Sequence, residues 1–478
     1  MTMTRTNIFK LKLTAIIVPL LFAASTQVFA ADKDQLLSVY IDQETKQIYS
    51  EPGVNRVKMG DFQPVTAKSA TAVDPKDVKV KLDQKGLGFA TADEQFKFSF
   101  GGRLHADATY HNNSDKLQKG GNPINANDGT EVRRARIDFR GTLWNNFNFQ
   151  TEADFADNSV GMKDVFLNYT GWDFAEITVG HQKQNISMEL QESSNDIMFT
   201  ERSLVNSLTA TLFDRAIGLD FKKSDKNWSA QAGVYGDSMQ ANKSNSNKGS
   251  GKAGEGFGAS TRVTFAPINT HNEVVHIGGF VGYRSTNGEG SFNDAGSSFG
   301  YETTHMSNLQ LTGTGTIKQA ENATMFGLEL AAMHGPFSLQ GEYTKAKVQR
   351  ENTLSSLDFN AFYVQAGWTL TGESRTYKGS DGEFKRLKPG NKFQPGKPGF
   401  GALELAVRYD QNDLTSKDIH GGEEKRATLA LNWYLNENVR LMADYSRSFD
   451  IKGSKVTTLS GGQPGNIDVL TFRTQWAF

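Results

Sequence analysis

Four arginines fall within ten residues of the segment EVRRARIDFRG, residues 131–141. Arg134, Arg136 and Arg140 share one parity with Asp138, and Ala135, Ile137 and Phe139 share the other. In a β-strand that alternation puts guanidinium on one face and hydrocarbon on the opposite face. Same-face positions lie about 6.8 Å apart along a strand. On an inner wall they make a vertical series of donor forks, which Arg103 in the preceding segment FKFSFGGRLHADATY extends. Arginine stays charged at every relevant pH and grips phosphate or carboxylate oxygens in pairs, so such a series suits the passage of an anion from site to site.

The competing use of these residues is structural. Asp107, Asp138, Glu152, Asp154, Glu329, Glu342, Glu404 and Asp444 have inward parity too. They can pair with the series, or with the further inward cations Arg262, Arg284, Arg408, Arg440 and Arg473, and brace a wall. The segment from Lys183 to Ala210 sets Lys183 and Arg202 against Glu189, Glu192, Asp196 and Glu201, an acidic balance. Enzyme signatures are missing: no HExxH or GxSxG occurs, and GSGKAGEG around Lys252 lacks the first glycine of a phosphate loop. Eight scattered histidines and no cysteine suggest no metal site, and no cofactor is expected.

The elements that must position these side chains are strands. Arg5, Lys10 and Lys12 precede an apolar run, and Val28-Phe29-Ala30 follows, which predicts a secretory signal peptide over residues 1–30. Residues 31–77 show weak periodicity and three prolines and are read as an extension, periplasmic or disordered. From Val78 the period becomes 2, and sixteen alternating segments follow to Phe478. No other stretch approaches the roughly 18 apolar residues of a membrane helix. Short connections alternate with long polar ones, the latter including residues 112–130, 240–256, 285–324 and 371–400. The fold class expected is all-β: a 16-stranded antiparallel transmembrane β-barrel over residues 78–478, with short periplasmic turns and long extracellular loops. The chain carries 52 Lys+Arg against 53 Asp+Glu, and loss of three signal-peptide cations leaves 49 against 53. No global basic field exists to draw nucleic acid, so any anion site is local.

FKFSFGGRLHAD, EVRRARIDFRGTLWNNFNFQTEADF, ITVGHQKQNIS, ERSL and LTGESRTYKGSDGEF together resemble segments of the phosphate-selective porin O/P family. The resemblance runs from about residue 78 to Phe478. It implies a homotrimer in the bacterial outer membrane, with a loop after the fifth strand folded inward as a constriction and an arginine ladder leading phosphate or other small anions to it. Arg103, Arg133, Arg134 and Arg202 match its arginine motifs. Arg133 has lipid-side parity, so it serves a ladder only beside a bulge or beyond the membrane band. Where selective members carry constriction lysines this chain has Leu190 and Asn195, and Lys163 stands where they carry an aspartate. Arg103, Arg133, Arg134, Arg136, Arg140, Lys163, Lys183 and Arg202 are the expected anion pathway. The alternatives are a general diffusion porin with weak or different anion preference, or an outer-membrane adhesin or enzyme working through its long loops. The basic segment 371–400 is expected either at the mouth, gathering anions, or as a solvated loop.

Overall fold

Alternation of side chains is kept along sixteen strands that close on themselves. The computed structural model describes residues 37–62, 78–83, 86–113, 116–124, 126, 128–236, 256–286, 298–351 and 353–478, so the expected signal peptide lies outside the described residues. The chain divides into two units, Met1–Val73 and Asp74–Phe478. In the first, the described residues form a three-stranded sheet in the order Ile48–Tyr49, Leu37–Asp42, Arg56–Phe62.

The second unit is a closed antiparallel barrel. Its strands are β1 (Phe96–Asn113), β2 (Gly129–Leu143), β3 (Phe147–Asp154), β4 (Gly161–Tyr169), β5 (Glu176–Lys183), β6 (Arg215–Asp225), β7 (Trp228–Tyr235) and β8 (Gly258–Asn269). They continue as β9 (Glu273–Ser285), β10 (Ala320–His334), β11 (Phe337–Arg350), β12 (Leu357–Thr369), β13 (Ala402–Ser416), β14 (Ile419–Tyr434), β15 (Val439–Lys452) and β16 (Ile467–Ala477). Each pairs with the next, and β16 closes on β1 from Ala477↔Arg103 to Ile467↔Asn113. A hairpin of Val78–Asp83 and Gly86–Thr91 pairs onto the first residues of β1, where β16 has ended. Gly86 makes that approach possible, because its φ is +94° and a Cβ there would collide with the Phe100 carbonyl.

The barrel is inside-out relative to a soluble domain. Leu328, Leu330, Val364, Val407 and Phe472 stand outward and exposed, while Arg262, Arg284, Arg426, Arg440 and Arg473 are less than 2% exposed within. Lipid solvates the first set; the second has to be answered by protein groups. Much of the answer comes from loops folded into the lumen. The β5–β6 loop, residues 184–214, carries two short helices, α1 (Met188–Gln191) and α2 (Thr209–Phe213). Its Ile186, Val205, Leu208 and Phe213 pack with Phe280, Met325, Val348 and Phe359 of the wall and with Phe299 and Ile317 of the β9–β10 loop. The inward-folded loop expected from the resemblance is therefore present.

One connection lies at the other end from its expected place. Residues 370–401 follow β12, an even-numbered strand, and so leave the barrel among the short turns rather than among the long loops. They fold back inside as a hairpin of Thr376–Lys378 and Glu383–Lys385. Arg262 donates to the carbonyls of Asp381 and Gly382 at 3.0 and 2.8 Å, and Lys222 pairs with Asp381 at 2.9 Å. The segment is no gathering loop at the outer mouth, and only its later part, residues 390–400, is largely exposed.

The seam between the first and last strands rests on one buried pair. Arg473 on β16 donates to both Asp107 oxygens on β1, at 2.7 and 2.6 Å, and Phe478 exchanges backbone bonds of 3.0 Å with Gly102. Arg473→Met strands the Asp107 carboxylate and is expected to cost about 3–5 kcal/mol, read as a lower midpoint for heat-induced unfolding on a detergent gel. The double change Asp107→Asn with Arg473→Met recovers part of that loss. An unchanged midpoint in the single variant contradicts the assignment.

Candidate functional site

Two β-bulges decide which cations face the lumen. On β1 the pairing jumps from His105↔Arg134 to Ala106↔Val132, so Arg133 is an extra residue with no partner across the ladder. An extra residue re-aims the side chain, and Arg133 turns inward to bond both Glu201 oxygens at 2.8 and 3.2 Å. Its lipid-side parity is thereby overridden. On β3 the pairing jumps from Thr151↔Val165 to Ala153↔Met162, which sets Lys163 and Asp164 together opposite Glu152. Each bulge admits one cation that strict alternation would have sent outward or left unplaced.

Most of the arginine series is matched by carboxylates. Arg103 meets Glu152 at 2.7 Å, and Arg136 meets Glu152 at 3.0 Å and Asp154 at 2.7 Å. Arg140 meets Asp138 at 2.5 Å. Arg215, which the sequence reading missed, is held by Asp164 at 2.9 and 3.0 Å. Of the eight cations expected from the sequence, Arg134, Lys163, Lys183 and Arg202 make no ion pair among the described residues.

Lys183 and Arg202 close the C-terminal end of α1. The Lys183 ammonium donates to the carbonyls of Leu190, Gln191 and Glu192 at 2.7, 2.9 and 3.1 Å. Arg202 donates to the carbonyls of Glu189 and Glu192 at 3.0 and 2.7 Å. Carbonyl oxygens at a helix end favour cations without cancelling their charge. Three carbonyl acceptors match the three N–H groups of the Lys183 ammonium. A cation from the end of β5 thus sits against Leu190, one of the positions where the resemblance implies a loop lysine.

Of the loop's acids, Glu189, Glu192 and Glu201 do not reach the same space. Glu189 accepts from Ser203 and Asn206, and burial raises its carboxyl above the ordinary range. Burial pushes Glu192 up to about 8, so it is neutral at neutral pH. For Glu201, burial is outweighed by Arg133, Arg134 and Arg473, which hold it ionised and well below the usual carboxylate range. Asp196 and Asp214 line the cavity, but Glu189 and Glu201 are taken up by protein groups and Glu192 is uncharged.

All eight residues singled out from the sequence open onto one cavity of ≈ 1180 Å³ inside the barrel. Thirteen lysines and arginines line it against six aspartates and glutamates. It is bounded by β1 to β6, the β5–β6 loop, Tyr301 and His305 of the β9–β10 loop, and the β12–β13 connection. That connection adds Lys378, Lys385, Arg386 and Lys388. Their basic character was legible, but they were expected at the opposite rim. The inward arginines of the far wall do other work. Arg262 pairs with Glu329 at 2.8 Å, Arg426 with Glu424 at 2.8 Å, and Arg440 donates to the Ile197 carbonyl at 2.9 Å, all beneath the folded loops. Among the described residues, no group of three or more His, Asp or Glu stands where it could hold a metal ion.

Residues 98–478 match the model of the family described as phosphate-selective porin O and P. Porin O of Pseudomonas aeruginosa is 26% identical over 437 residues, 85% of this chain and 93% of that protein. An uncharacterized protein of Caulobacter vibrioides is 29% identical over 387 residues, 80% of this chain and 74% of that protein. Among solved structures, an anion-selective porin from Comamonas acidovorans shares 14% identity and a TM-score of 0.49, covering 80% of this chain and 100% of its own. The family model takes in nearly four-fifths of the sequence, and the chain therefore belongs to the phosphate-selective porin O and P family, as an outer-membrane porin and not an enzyme.

Proposed function

We propose that the chain conducts small anions passively through the cavity bordered by β1 to β6, with phosphate or a related phosphorylated anion preferred. The observation that carries this reading is the imbalance of charge at that cavity, thirteen cations to six carboxylates, with Arg134, Lys163, Lys183 and Arg202 outside any ion pair. Matched arginines keep spare N–H donors after pairing, because a carboxylate takes two of five. An anion can therefore be handed along the matched members and held most firmly at the unmatched ones. Binding must stay loose and repeated for the ion to leave again. Lys163 and Lys183 supply, from the wall, the positive charge that the loop lacks at Leu190 and Asn195.

Homotrimer formation belongs to the same proposal. β3 and β5 have 8 residues each, whereas β10 and β13 have 15. Eight residues extend about 26 Å and, at barrel tilt, rise about 20 Å, less than the apolar band of about 25 Å. The outer face there carries two groups of ring contacts, Phe98, Phe100, Phe139 and Phe149 in one and Phe147 with Tyr169 in the other. A neighbouring copy would cover a wall too short for lipid. Residues 1–30 are proposed to be a cleaved signal peptide and residues 31–77 a periplasmic extension.

In a planar bilayer, phosphate titrated into chloride is expected to block the current at submillimolar concentration. Arg134→Ala and Lys163→Ala should each weaken that block by about tenfold, the loss of one charge-assisted bond. A large current that phosphate leaves untouched would mark a general pore instead. As the pH rises through about 8 the Glu192 carboxyl ionises beside the end of α1. Anion preference should then fall in the wild type and stay level in Glu192→Gln; identical profiles would exclude that carboxyl as the cause.

A further inference from the structure

Arg134 is the one arginine of the β1–β2 series without a carboxylate, and its neighbour is a histidine. His105 is fully buried, its Nε2 lies 3.0 Å from the Asn195 side-chain oxygen, and its Nδ1 lies 3.5 Å from Arg134 Nη1. An amide oxygen only accepts, so Asn195 places the proton on Nε2. Nδ1 then offers a lone pair to the guanidinium; the opposite tautomer would aim an N–H at a cation. Asn195 is itself fixed, because Gln475 on β16 donates to its carbonyl at 3.1 Å and Arg103 donates to the adjoining Ser193 and Ser194 at 3.2 and 3.1 Å. The chain of contacts thus runs from β16 through the folded loop to the imidazole and on to Arg134.

The charges around the ring are one-sided. Arg103 lies on its own strand, Arg134 on β2 and Arg473 on β16. Asp107, two residues along β1, is taken by Arg473, and Glu201 of the loop is taken by Arg133 and Arg473. No free carboxylate is left to favour an imidazolium. Resting on the anion pathway proposed above, we infer that His105 is a positioning residue for Arg134 and couples anion binding there to uptake of one proton. Neutral His105 accepts from Arg134 and fixes the guanidinium. An anion beside Arg134 brings the negative charge that lowers the cost of protonating Nδ1, which then releases Arg134 toward the cavity. Binding and protonation favour each other by the same factor.

The probe is sulfate, which keeps two charges across the range, titrated as a blocker of chloride current through the purified porin. Between about pH 8 and about pH 5 it is the sulfate-bound state in which His105 takes up its proton, so wild-type affinity is expected to tighten at least about fivefold. His105→Gln keeps an acceptor and a donor but cannot titrate; its block at about pH 8 should stay within about twofold of wild type, with the pH response flattened. His105→Ala should weaken block at every pH. Every protein is compared in a Glu192→Gln background, which removes the carboxyl that titrates near pH 8; His111, His305 and Glu302 at the loop end remain in both variants, so a pH response that survives His105→Gln belongs to them and overturns the inference. Unweakened block in His105→Ala overturns it too. If Arg134→Ala binds sulfate as wild type does, the pathway reading falls with it. If Arg134→Ala weakens block but His105→Gln keeps the wild-type pH response, only this inference falls.

Discussion

A guanidinium inside a closed barrel has to be answered by a carboxylate, a carbonyl or water, because the alternative is a buried charge without compensation. The whole interior follows from how that demand is met. Along β8 to β16 most of it is met. Arg262, Arg408, Arg426 and Arg473 meet carboxylates, and loop carbonyls take up much of what remains. Along β1 to β6 it is met in part: Asp138, Glu152, Asp154 and Asp164 serve arginines, yet Arg134 and Lys163 are left over. The two halves of one wall therefore play opposite parts. The first anchors loops, and the second leaves positive charge facing open space.

The loops make that division possible. The β5–β6 loop presses an apolar side against β10 to β12, and its Glu189 and Glu201 are received by Arg408 and Arg133 of the wall and by the loop's own Ser203 hydroxyl. What it presents to the cavity is the carbonyl end of α1, occupied by Lys183 and Arg202, with Asp196 and Asp214 beside it. The β12–β13 connection enters from the periplasmic end and meets that loop, Arg375 donating to the Asp196 carbonyl at 2.9 Å. Cations thus reach the cavity from strand, loop and turn, although the chain as a whole is close to neutral.

Much of this was legible from alternation. Period 2 reveals a strand whatever its neighbours are, so the sixteen strands and the inward set of arginines could be read directly. The bulges could not. Arg133 and Lys163 face the lumen because one residue is inserted into the pairing, and insertion depends on register between strands, which a single chain does not display. The place of residues 371–400 was within reach: they follow the twelfth strand, and an even count returns the chain to the turn side. Basic composition and length drew them to the wrong rim. Which arginines were braced and which left over was out of reach, since Glu152 serves both Arg103 and Arg136 across two strands. The sheet within residues 37–62 carried too weak a period to be foreseen.

The central claim is that unmatched cations on the β1 to β6 side set the sign of selectivity. The most direct measurement is the zero-current potential of purified protein in a bilayer across a potassium chloride gradient, for wild type and for Arg134→Ala with Lys163→Ala. The expected result is a potential of the sign set by chloride in the wild type, collapsing toward zero in the double variant. A wild-type potential near zero or of the sign set by potassium, or a double variant as anion-selective as its parent, would contradict it.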